Sequence, residues 1–66
     1  MQVTLNGELR DVREALSVAE LIAELSLNGR RLAVELNQEV LPRDEYGARA
    51  LASGDVIEIV HFIGGG

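Results

Sequence analysis

Apolar and polar residues alternate from Met1 to Asn6, with Met1, Val3 and Leu5 on one side and Gln2 and Thr4 on the other. A period of two marks a strand with one buried face. Asn6-Gly7 follows, two residues that tolerate positive φ, and this is the strongest short hairpin signal. A second strand is therefore predicted from Glu8 to about Arg13. A strict two-residue turn sets Leu5 opposite Glu8 and sends Leu9 to the other face, whereas a bulge or longer loop changes that register; the pattern leaves both open.

The period changes at Ser17. Ser17-Val-Ala-Glu20 fits a capping box, with the serine hydroxyl accepting from an early backbone N–H and the glutamate reaching back to the serine N–H. Val18, Leu21, Ile22 and Leu25 then fall at i, i+3, i+4 and i+7, one apolar stripe of a helix, with Glu20 and Glu24 turned away from it. Asn28-Gly29 is the expected stop. Leu32, Val34 and Leu36 alternate with Ala33, Glu35 and Asn37, which predicts a third strand. Asn37-Gln38-Glu39 turns the chain into a short strand at Val40-Leu41, which Pro42 ends because it cannot donate a ladder hydrogen bond.

From Arg43 to Ala52 the pattern is weak, with one short helical turn expected near Asp44 to Tyr46. Pro42, Arg43 and Tyr46 are expected to shape this turn and to cover the sheet edge. Ser53-Gly54-Asp55 is a turn. Val56 to Ile63 is the most β-prone segment, rich in β-branched residues. With Ile57 and Ile59 toward the helix, Glu58, Val60 and Phe62 go to the opposite face. If that side is open, exposed Val60 and Phe62 mark a docking surface, the alternative being that they cover a small secondary core or loop. The chain closes on Gly64, Gly65 and Gly66. The order of hairpin, helix, strand, short strand, irregular stretch and long final strand predicts an α+β domain over 1–63. One main helix lies across a mixed sheet whose central strands are the first and the last, the order of a β-grasp, or ubiquitin-like, fold. A flexible glycine tail is expected over 64–66.

Composition narrows the function. A chain of 66 residues with no cysteine has room for one domain and lacks the disulfide or Cys/His cluster that often steadies a small fold, so aliphatic packing must do it. Eleven acidic residues against six basic ones give a net charge of −5, which repels phosphate backbones and disfavours nucleic acid as a partner. Apolar runs far shorter than a membrane span, and the lack of a secretory leader, lead us to expect a cytoplasmic protein that does not enter membranes. No metal set is credible, and the glycines have no following helix to bind phosphate. His61, the single histidine, has no cysteine or serine nucleophile beside it, so a structural or docking role is expected. Paired carboxylates such as Asp44-Glu45 lack any sign of a cleft. Glu35, Glu39 and Glu58 read as a solvated face, some of which can meet a basic rim on a partner.

Three segments resemble a known family: Asn37 to Tyr46 (NQEVLPRDEY), Gly54 to Phe62 (GDVIEIVHF) and the terminal diglycine, supported by Asn6-Gly7 and SVAELIAEL. The chain resembles the ThiS family, the ubiquitin-like sulfur carriers of thiamine biosynthesis. The tail has three glycines where the family minimum is two. The resemblance implies that the protein is a co-substrate and not an enzyme. It implies that the Gly66 carboxylate is adenylated by a ThiF-type enzyme using ATP and magnesium, converted to a thiocarboxylate with sulfur from a cysteine-desulfurase-derived persulfide, and delivered to a ThiG-type thiazole synthase. No cofactor is held by the chain itself.

The chemistry of the tail agrees with that implication. A carboxylate is a poor acyl donor until adenylation supplies a leaving group. Gly65 and Gly64 place no Cβ in the way and can thread a narrow channel, a three-residue extended segment reaching roughly 10 Å. All six basic residues are arginine, so no side chain offers the amine or thiol that would capture an activated acyl group; arginine-rich composition accounts for this equally well. Other readings are the small subunit of molybdopterin synthase, which is generally longer and lacks the Pro-Arg segment, a ubiquitin-like protein modifier, and a plain binding module whose tail is slack.

Overall fold

The computed structural model describes residues 1–62. The expectations for Ile63 and for the tail Gly64, Gly65 and Gly66 lie outside the described residues. The elements run β1 (Gln2–Leu5), β2 (Glu8–Asp11), α1 (Val18–Glu24), β3 (Leu32–Leu36), β4 (Glu39–Val40), a 3₁₀ turn (Arg43–Glu45) and β5 (Val56–His61). The sheet order is β2-β1-β5-β3-β4, with β5 at the centre, parallel to β1 and antiparallel to β3. This is the mixed sheet and single helix predicted for a β-grasp domain.

The first hairpin takes the strict register. Leu5 pairs with Glu8 and Thr4 with Leu9, so Leu9 stands on the face away from the helix and is exposed. Asn6 and Gly7 both have positive φ (50° and 84°), as a twisted two-residue turn requires. The second hairpin repeats the geometry with Asn37 (φ 52°) and Gln38 (φ 71°), and no glycine relieves the second position. Its return strand is one residue earlier than expected, Glu39–Val40. Leu41, just past the strand, still donates its N–H to the Val34 carbonyl at 2.9 Å and buries its side chain in the core, which is worth about 1.5–3 kcal/mol.

Ser17 caps α1 as the sequence predicts: the Glu20 N–H donates to the serine Oγ at 3.0 Å and the Ser17 N–H to the Glu20 carboxylate at 2.9 Å. The Arg13 guanidinium also meets that carboxylate. The helix ends earlier than Asn28-Gly29. Ser26 takes the left-handed conformation (φ 60°), its N–H donating to the Ala23 carbonyl and the Leu27 N–H to the Ile22 carbonyl. These two bonds form the Schellman closure usually made with glycine.

The weakly patterned stretch after Pro42 completes the start of the helix. The Val18 N–H donates to the Arg49 carbonyl and the Ala19 N–H to the Tyr46 carbonyl, both at 3.0 Å, so donors without an intrahelical partner are satisfied. Tyr46 packs against the core, and Arg43 and Tyr46 lie beside α1 instead of along the sheet edge. The core is a single cluster of Val3, Val18, Leu21, Ile22, Val34, Leu36, Ile57 and Ile59 from the elements, with Val12, Leu16, Leu41 and Leu51 from the connections.

Candidate functional site

β5 is the strand that leads to the tail, and two asparagines fix it. On the β1 side the ladder reaches only Leu5↔Ile57. There the Asn6 side chain continues it, accepting from the Ile59 N–H at 2.8 Å and donating to the Ile59 carbonyl at 3.2 Å. On the β3 side the Asn37 side chain accepts from the Val56 N–H at 2.9 Å and donates to Asp55 at 3.1 Å. Each asparagine is also a left-handed turn residue, so one residue both turns a hairpin and clamps the central strand. The hairpin signal was plain in the sequence. The clamps were not, because their partners lie up to 53 positions away.

The strand's own alternation divides its side chains. Ile57 and Ile59 are buried under α1, whereas Val60 is 55% and Phe62 51% exposed on the other face, with Glu58 between Val56 and Val60. Leu9 and Val56 join this face through the rows Leu9–Thr4–Val56, and Val40 joins it opposite Glu35. All the large exposed apolar side chains among the described residues therefore share one side of the sheet. Glu35 and Glu58 are paired across β3 and β5, two like charges side by side, and neither has an ion-pair partner among the described residues. Opposed like charges weaken a sheet and are tolerated where the surface serves something else.

His61 is exposed and pairs with Leu32, on the helix side of the sheet. Among the described residues no group of histidine and carboxylate side chains could hold a metal ion, and no helix is long and apolar enough to cross a membrane. Of the expected site residues, the structure places Glu58 and Val60 on one face of β5, with the exposed Phe62 directly after the strand's end. Gly64, Gly65 and Gly66 lie outside the described residues, four positions at most beyond Phe62.

The ThiS family model matches residues 3–66. This chain belongs to the ThiS family. It is 36% identical over 63 residues to the sulfur carrier protein ThiS of Bacillus subtilis, covering 94% of this chain and 96% of that one. A crystal structure of a thiamine biosynthesis protein (ThiS) from Geobacter metallireducens superposes with a TM-score of 0.84 at 39% identity, over the whole of both chains. A thiazole synthase of Paramagnetospirillum magneticum is 42% identical over 66 residues. The chain spans 20% of the length of that protein. The ThiS family is one of small sulfur carriers of thiamine biosynthesis rather than of catalysts, and its fold is the one described above.

Proposed function

We propose that this ThiS-family chain carries sulfur for thiazole formation, with the Gly66 carboxylate as the group that is activated and Gly65 and Gly64 as the segment that enters the partner's channel. The observation that supports this reading most is the build of β5. One strand, clamped from both flanks, holds an exposed apolar stripe and leads directly toward the glycines. A partner that grips Val60 and Phe62 therefore holds the strand only two to four residues ahead of Gly64, Gly65 and Gly66.

The carboxylate attacks the α-phosphorus of ATP on a ThiF-type enzyme, releasing pyrophosphate and forming an acyl adenylate. A persulfide sulfur supplied through a cysteine desulfurase then attacks the carbonyl carbon and AMP leaves. A thiol cleaves the resulting acyl disulfide, leaving the thiocarboxylate that a ThiG-type thiazole synthase consumes. ATP and magnesium serve the adenylating enzyme, and the chain supplies the acyl group and the docking face. Its match to thiazole synthases supports that enzyme as the acceptor. The uncompensated Glu35 and Glu58 favour a basic rim around the partner's apolar surface.

Intact mass after incubation with ATP, magnesium, a sulfur source and the cognate adenylating enzyme tests the proposal. Replacement of one oxygen by sulfur, lost when Gly66 is deleted, is the expected result. An unmodified chain, with the enzyme active on another carrier, overturns it. Transfer of the chain to a lysine of another protein instead identifies a modifier.

A further inference from the structure

A cavity of about 190 Å³ lies on the helix side of the molecule, away from the apolar sheet face. Its apolar walls are Ile22, Leu32 and Tyr46, Gly29 leaves one side bare, and Arg30 and Arg43 stand at it from opposite segments of the chain. Arg13 is matched by Glu20, but neither Arg30 nor Arg43 has a carboxylate within ion-pair distance among the described residues. That holds even though Asp44 and Glu45 follow Arg43 directly. The arginines make no side-chain hydrogen bond there, nor does the Tyr46 hydroxyl.

Like Arg10, Arg31 and Arg49, these two guanidinium groups have no carboxylate partner among the described residues, but they alone of the six arginines stand together at this apolar hollow. Guanidinium forks match carboxylates in shape and charge, and the hollow is the size of one large apolar side chain. We infer that this cavity is a second docking site, which takes an acidic protein segment presenting one apolar side chain flanked by carboxylates. The apolar side chain enters between Ile22, Leu32 and Tyr46, and the carboxylates meet Arg30 and Arg43.

Its position ties it to the tail. Leu32 pairs with His61, and the Phe62 N–H donates to the Arg31 carbonyl at 2.9 Å, so the cavity begins beside the end of β5. An enzyme docked on Val60 and Phe62 would reach the cavity with an arm passed around that end of the sheet. The acidic segment is such an arm of the tail-processing enzyme, and this assignment of its source rests on the carrier reading. The cavity's preference for an acidic apolar peptide does not.

The test is an amide correlation titration of the full chain with the acetylated, amidated tripeptide Glu-Phe-Glu, against Gln-Phe-Gln as the neutral match. We expect saturable shifts at Ala19, Ile22, Gly29 and Leu32. Binding should weaken about tenfold with the neutral peptide and in the Arg30→Gln/Arg43→Gln variant, the loss expected for two exposed ion pairs. Both arginines are exposed, so that variant keeps the wild-type spectrum before peptide is added. Equal affinity for the two peptides, or shifts centred on Val60 and Phe62, overturns the inference. The titration contains no partner enzyme, so a failure to form thiocarboxylate leaves its result standing. A normal titration with no loss of adenylation rate in the double arginine variant removes the enzyme as the source of the segment.

Discussion

The two faces of β5 are made from the same kinds of residue and do opposite work. Ile57 and Ile59 point into the core, while Val56, Val60 and Phe62, one position out of phase, stay in solvent. The first set holds the domain together, since its removal from water is realised on folding. The second contributes little to folding because nothing among the described residues covers it, and under the proposed function its burial comes with a partner. Apolar character alone does not tell the buried face from the exposed one; phase along the strand does.

The sharpest way to break this contrast is to truncate one side chain from each face. Ile57→Ala should lower unfolding free energy by about 2–5 kcal/mol, enough to unfold much of so small a domain, whereas Val60→Ala should change it by less than about 1 kcal/mol. Urea denaturation followed by circular dichroism measures both. Similar losses at the two positions would mean that the open face is also structural.

Asn6→Ala comes next. It leaves the Ile59 N–H and carbonyl without the partners that continue the ladder, and should cost about 1–3 kcal/mol with faster amide exchange at Ile59. Asn6→Asp keeps the acceptor and loses the donor, so it should fall between wild type and alanine. Gln38→Gly should act in the other direction, stabilising by up to about 1 kcal/mol, because glycine adopts the φ of 71° without the penalty that a Cβ brings.

The smallest effect concerns acid. The Ser17 backbone N–H first, then Arg13 and the Ser17 hydroxyl, hold the Glu20 carboxyl below its ordinary value of 4.5. A depressed folded value means that this group stabilises the fold above about pH 4.5 and loses its contribution as pH falls through the folded value. Glu20→Gln should therefore flatten the acid limb of a melting-temperature profile below pH 4.5 and leave its neutral limb nearly parallel to wild type.

Local patterns carried most of the fold. The Asn6-Gly7 turn, the Ser17–Glu20 box and the alternation of Val56 to Phe62 each depend on neighbours within a few residues, so periodicity and cap chemistry reveal them. The exposure of Val60 and Phe62 followed from that same alternation. What stayed hidden depends on distant contacts or backbone strain: Asn6 on Ile59, Asn37 on Val56, and Ser26 in place of a glycine at the helix end. The cavity between Arg30 and Arg43 was hidden for the same reason, its walls being drawn from three separated segments.

The most direct measurement of the central claim compares the rate of thiocarboxylate formation, by intact mass, for wild type and Val60→Ser/Phe62→Ser alongside their melting temperatures. The account predicts at least a tenfold slower reaction at subsaturating enzyme with the melting temperature nearly unchanged, about what losing two apolar anchors from a docking surface removes. An unchanged rate in a folded double variant would contradict it, and would place partner recognition elsewhere than on the open face of β5.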